Sequence, residues 1–185
     1  MLKTIVLLAA QAAAFAGGVT PYLEKGCFSV IFPEGWTKQE QAFGLGESEK
    51  KVYGADFTAP GEELIPVRIS VKYYAPGNLL HKTYEQYIRR HSKPALGANV
   101  DGKVYGKVGD GKAGSYYAKV FERKTYDYFP KRAVNAKKYP VYEKFHVVPV
   151  KQGYYVLRYT APFEKAKAGA PQYEAAVASF KPLIR

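Results

Sequence analysis

Ten residues from Ile65 to Tyr74 set the terms of the fold. Ile65, Val67, Ile69, Val71 and Tyr73 alternate with Pro66, Arg68, Ser70, Lys72 and Tyr74. A period of two puts the first set on one face of a strand and the second on the other, so half of the strand meets a core and half meets solvent or a ligand. A strand of this kind needs neighbours, and the chain supplies them. Cys27 to Phe32 alternates in the same way and stops at Pro33-Glu34-Gly35; Lys51 to Thr58 reads as a weaker strand ended by Ala59-Pro60-Gly61. Val104 to Val108 and Gly114 to Tyr126 read as strands joined around Gly109-Asp110-Gly111, because aspartate-glycine favours the positive φ of a tight hairpin. Val141 to Val150 and Tyr154 to Thr160 flank Lys151-Gln152-Gly153, a link short enough to force an antiparallel pair.

Helical spacing occurs twice. Thr83 stands three residues before Gln86, the spacing of a capping box, and Tyr84, Tyr87, Ile88 and His91 then share one face, so a helix is predicted from Thr83 to Ser92. Pro171 suits a first helical position, which predicts a last helix from Pro171 to Phe180 burying Tyr173, Val177 and Phe180. No repeat or linker divides these elements. The expected fold class is α+β, a central antiparallel β-sheet with helices packed on its faces. Seventeen tyrosines supply much of the burial and bring hydroxyls that need partners, while a single cysteine, Cys27, closes no intramolecular disulfide.

The first sixteen residues stand apart from this fold. Lys3 precedes an apolar run from Thr4 to Ala16 that ends in Ala14-Phe15-Ala16, the layout of a secretory signal peptide cut after Ala16. At about a dozen residues the run is shorter than the roughly 20 a membrane span needs. The expected organisation is a signal peptide over 1–16, a lead-in over 17–26 and one domain over 27–185, exported to the periplasm or beyond, with no transmembrane segment in the mature chain. Cys27 is the only candidate for acylation, but the charged residues before it favour a structural thiol.

Phe28-Ser29-Val30-Ile31-Phe32-Pro33-Glu34-Gly35-Trp36 resembles the opening strand and turn of the PsbP/Mog1-like family. Tyr155-Val156-Leu157-Arg158-Tyr159-Thr160-Ala161-Pro162, then Tyr173 and Ser179-Phe180, is similar to that family's last strand and closing helix. The resemblance implies an α/β/α sandwich, its antiparallel sheet covered by helices on both faces, in binding or assembly factors without known chemistry and with no catalytic motif to carry over. The basic stretch after Tyr126 and the bacterial-type leader depart from the plant photosystem subunits of the family.

Local motifs for catalysis are weak. Gly109, Gly111 and Gly114 spell G-x-G-x-x-G, but a strand follows where a dinucleotide site needs a helix; Ser48 and Lys51 have S-x-x-K spacing inside a charged, solvated stretch. His81, His91 and His146 form no recognised metal-ligand spacing with each other or with Cys27, so no metal, cofactor or catalytic residue is expected. On the apolar face of its helix, His91 reads as a hydrogen-bonded core residue.

Charge gives the remaining signal. Without Lys3 the chain keeps 27 of its 28 basic residues against 16 acidic ones, and residues 116–159 carry ten basic and three acidic side chains. An exported protein seldom meets nucleic acid, so the expected partner is an acidic protein or an anionic envelope component. Lys131, Arg132, Lys137 and Lys138, with Tyr128 and Tyr139, are the candidate binding residues, on a loop from Asp127 to Pro140. The same pattern also fits a solvated sheet face. Alternatives to a non-catalytic accessory protein are a cell-envelope enzyme, which needs an enclosed pocket with converging polar groups, and a peripheral binder of anionic membrane surfaces.

Overall fold

The computed structural model describes residues 18–40, 44–98, 100–131 and 133–184, so the expected signal peptide and Arg132 lie outside the described residues. Its strands are β1 (Val19–Glu24), β2 (Phe28–Pro33), β3 (Thr37–Gln39), β4 (Val52–Thr58), β5 (Arg68–Tyr74), β6 (Val104–Tyr105), β7 (Gly109–Ala113), β8 (Tyr116–Phe129), β9 (Lys137–Pro149), β10 (Tyr154–Pro162) and β11 (Lys181–Pro182). Its helices are α1 (Glu47–Lys50), α2 (Tyr84–His91) and α3 (Ala166–Ser179). The main sheet runs β3-β4-β5-β10-β9-β8, with β6 and β7 both paired to the outer side of β8; a smaller sheet runs β1-β2-β11. Every pairing is antiparallel.

Alternation along the central strands builds two cores. Tyr155, Leu157 and Tyr159 of β10 join Ile69, Val71 and Tyr73 of β5 on one face, where Phe28, Val30 and Phe32 of β2 and Tyr173, Ala176 and Val177 of α3 pack on them. The opposite face carries Val52, Tyr74, Tyr154, Val156, Val147, Phe145 and Phe121, covered by Tyr87, Tyr84 and Ile88 of α2. Thr83 caps α2 by accepting from the Gln86 amide, and Glu85, Arg89 and Arg90 face water, as the capping-box spacing predicts.

Buried tyrosine hydroxyls tie the layers together. Tyr155 donates to the Cys27 carbonyl at 2.7 Å, Tyr159 to Ala166 at 3.1 Å, and Tyr173 to Leu157 at 3.0 Å. Cys27 itself is a buried free thiol, pushed above its usual pKa by burial and by Glu24 and Glu47, which keeps it protonated and unreactive.

Three expectations need correction. The last helix begins at Ala166, not Pro171: a 3₁₀ turn over Phe163–Lys165 leads into it and Pro171 lies inside. Gly169, within this first stretch, lets α3 come so close to the sheet that a Cβ there would sit 2.2 Å from the Tyr159 hydroxyl. Within the stretch read as a lead-in, Val19–Glu24 forms a full strand against β2. The glycine-rich turn is displaced as well. Gly109 and Gly111 lie in edge strand β7, and the chain reverses at Gly114-Ser115.

Gly114 holds that turn for two physical reasons. Its φ is +56°, and a Cβ would lie 2.2 Å from the Phe180 carbonyl oxygen at the end of α3. Gly114→Ala should therefore lose about 2–3 kcal/mol of unfolding free energy in urea titrations, while Gly109→Ala, which meets nothing within 4 Å, should be nearly silent.

Candidate functional site

The basic stretch forms a ribbon rather than a long loop. β8 and β9 pair as far as Phe129↔Lys137, whereas β10 stops opposite Val141 and β6 pairs only with Arg123 and Lys124. From about Thr125 to Pro140 the hairpin thus runs on with no further strand on either side among the described residues, and its strands reach Phe129 and Lys137, well inside the stretch 127–140 expected as a loop. Tyr128 stands opposite Lys138, and Asp127 opposite Tyr139, so Tyr128, Lys137, Lys138 and Tyr139 are strand residues. Alternation puts Tyr126, Tyr128 and Lys138 on one side, Phe129, Lys137 and Tyr139 on the other.

Aromatic faces meet two of the cations of this ribbon. The Lys138 amine lies 3.9 Å from the Tyr126 ring centre and 3.4 Å from the Asp101 carboxylate, and the Lys131 amine lies 5.6 Å from the Phe129 ring centre. Phe129 meets Tyr139 edge-on at 6.1 Å. Lys131, Lys137, Lys138 and Tyr128 are exposed and Tyr139 is half-buried. Asp127 is the sole acid among residues 124–140, which carry five basic side chains.

A second concentration of chemistry lies on the main sheet, on the face that α2 covers in part. Beyond Tyr74, Val156 and Phe145 this face turns polar, because the same alternation that buries Ile69 and Val71 on the other side presents Arg68, Ser70 and Lys72 here. Registers align Thr58, Arg68, Thr160, Glu143 and Arg123 in one row across five strands, and Asp56, Ser70, Arg158 and Phe145 in the next. Lys72 pairs with Asp56 at 3.1 Å, and Ser70 donates to the same carboxylate. Arg123 pairs with Glu143 at 2.5 Å, with Arg158 farther from Glu143 at 3.9 Å.

Two neighbouring hollows, which share Asp56 and Lys72 in their walls, open on this face. One of about 510 Å³ is lined by Lys38, Gln39, Glu47, Asp56, Arg68 and Lys72; the other, of about 140 Å³, reaches Ser70, Tyr87 and Arg158. Burial works to raise Asp56, but Lys72 and the Ser70 hydrogen bond outweigh it and hold the carboxyl below its usual pKa. His91 sits at the edge with both ring nitrogens buried and unpartnered among the described residues, correcting the expectation of a hydrogen-bonded core histidine. Burial, followed by Arg123, His81, Arg158 and Arg90, pushes it down to about 3. A larger hollow of about 620 Å³ has mainly apolar walls, including Pro33, Trp36, Pro60 and Val67, with Glu34, Lys165 and Gln172 as its polar side chains.

Sequence reasoning assigned the Arg68, Ser70, Lys72 face of one strand to solvent or ligand, which was the available signal. Thr58, Glu143, Arg158 and Thr160 join it only through register. Among the described residues no three His, Cys, Asp or Glu side chains cluster to hold a metal ion, and no helix is long and apolar enough to cross a membrane. Ser48 and Lys51 are both exposed, Lys51 at the left-handed end of α1.

No family model matches the sequence, and no curated protein matches it. Among solved structures, the chain is similar to cyanobacterial PsbP (CyanoP) from Synechocystis sp. PCC 6803, with a TM-score of 0.52 and 10% identity over 89% of this chain and 92% of that one. LpqN, involved in cell envelope biogenesis of Mycobacterium tuberculosis, aligns with a TM-score of 0.46 and 13% identity over 95% and 96% of the two chains. The first likeness places the chain in the PsbP-like fold, in agreement with the resemblance of its first and last strands.

Proposed function

We propose that this chain is an exported accessory protein, without chemistry of its own, that docks to an acidic protein surface through the ribbon of β8 and β9. Export rests on the signal-peptide layout of residues 1–16. One observation carries the docking: residues 125–140 carry four basic side chains against one acid, and two of the amines lie over aromatic rings. Amines fixed by Phe129 and Tyr126 suit carboxylates at fixed spacing, as on a folded partner, better than a fluid layer of headgroups. Exposed Tyr128 beside Lys138 adds a rigid, amphipathic contact of the kind enriched at interfaces.

The test replaces Tyr128 with a photo-crosslinking residue in cells that export the protein. Adducts to one acidic protein are expected from this position and none from Leu23 on β1, which is more exposed still. Adducts to lipid alone, or the same adducts from both positions, would count against the reading.

A further inference from the structure

Every buried side-chain nitrogen or oxygen that lacks a hydrogen-bond partner among the described residues lies on a single face: Thr58 Oγ1, Arg68 Nε, Arg158 Nε, Thr160 Oγ1 and the two His91 ring nitrogens. Buried polar groups are normally paired, and each unmade bond costs about 1–3 kcal/mol. Scattered orphans would be incidental. These are neighbours: Thr58 and Thr160 flank Arg68 directly across the strands, and Arg158 stands diagonally beside it. Of the four strand residues among them, two are guanidinium donors with no acceptor capacity, and the other two are hydroxyls free to donate.

Charge points the same way. On the strands of this face Arg68, Lys72, Arg123 and Arg158 stand with Asp56 and Glu143, which are already engaged by Lys72, Ser70 and Arg123, while Lys38, Glu40 and Glu47 line the outer hollow. Arg68 has no ion pair among the described residues, and Arg158 reaches Glu143 only at 3.9 Å. Water could satisfy the hydroxyls, but it supplies no charge. A carboxylate ligand would bring one negative charge; a phosphate brings about −1.5 to −2 with several acceptor oxygens, which suits two guanidinium groups that lack a close ion pair among the described residues. Space lies beside both guanidinium groups: the hollow of about 140 Å³ reaches Arg158, the one of about 510 Å³ reaches Arg68, and the two share Asp56 and Lys72 in their walls.

We propose that the face formed by Thr58, Arg68, Arg158 and Thr160 binds a phosphate group, as free phosphate or the monoester of a small solute. This site is separate from the docking ribbon, and its test does not depend on a protein partner.

Inorganic phosphate, glycerol phosphate and acetate are each titrated into the mature chain at constant ionic strength, with the melting temperature and, for the two phosphates, the phosphorus NMR linewidth as readouts. Both phosphates should raise the melting temperature above the chloride control and broaden the phosphorus line, with acetate giving little shift; tighter binding of glycerol phosphate identifies an ester as the ligand, and equal binding the free ion. Arg68→Met should weaken phosphate binding at least about tenfold while leaving the phosphate-free melting temperature unchanged or higher, because it removes an unpaired cation from a cationic face. Thr160→Val, close to it in shape, should weaken phosphate with little effect on the fold. Equal shifts from acetate, chloride and phosphate, or full phosphate affinity in both variants, overturn the proposal. A phosphate-free melting temperature that falls sharply in Arg68→Met also overturns it, since the arginine would then be holding the fold.

Discussion

At about pH 5 the protein should be roughly 4 kcal/mol less stable than at about pH 7.5, with two histidines responsible. Burial first, and nearby cations next, push His91 down to about 3; burial pushes His146 down to about 4 against the opposing pull of Glu174. Both folded values lie below the unfolded value of about 6.5, so between the two the unfolded chain takes up protons that the folded chain refuses. Stability is therefore full above about pH 6.5 and is lost as the pH falls towards 4 and 3, by about 2 kcal/mol for each histidine at pH 5. Asp56, held low, adds its own loss only below about pH 4.

The structure also fixes the tautomer of the neutral His146 ring. Its Nδ1 lies 2.8 Å from the Tyr173 hydroxyl, which already donates to Leu157, so Nδ1–H donates to Tyr173 and the tautomer is set. Urea unfolding at the two pH values checks the prediction, and His146→Gln should remove about half of the pH dependence. Equal stability at both pH values would mean that both rings accept protons in the folded state.

How much of this could be read in the sequence depended on the range of the signal. Ile65 to Tyr74 placed Ile69, Val71 and Tyr73 correctly in the core because period-two alternation is local, and α2 followed from Thr83 and its apolar face. The β7–β8 turn was misplaced since two glycine sites competed within six residues and only the docking of Gly114 against the end of α3 decides between them. β1 was missed because it is half-buried and carries a proline, which weakens its alternation. For α3, Pro171 looked like a first helical position, and only the contact of Gly169 with Tyr159 reveals that the helix has already begun.

The binding regions divide in the same way. A concentration of lysine and tyrosine is visible in one dimension, so Lys131, Lys137 and Lys138 were legible as candidates. Their strand register was not, because Pro140 reads as a boundary; in the structure it lies where β9 has a neighbour on one side only, a position that a ring without an N–H tolerates. The Arg68–Arg158 face was beyond reach, since it joins residues from five strands through four registers.

Reversing Lys131, Arg132, Lys137 and Lys138 together to glutamate should change binding far more than stability. The described three are exposed, and surface charges of this kind contribute at most about 1 kcal/mol each to the fold. Each reversal replaces attraction by repulsion at a carboxylate-bearing surface, so four together should weaken binding on the order of 100-fold or more at low salt. Screening should narrow that gap as salt rises. The phosphate-binding face should be unaffected, which separates failure of one site from failure of the other. The most direct measurement is the affinity of the mature chain and of this fourfold variant for the protein cross-linked through Tyr128, each at low and at high salt. The docking account predicts tight, salt-sensitive binding by the parent chain and at least about a hundredfold loss in the variant at low salt with an unchanged melting temperature; equal affinities for the two chains would contradict it.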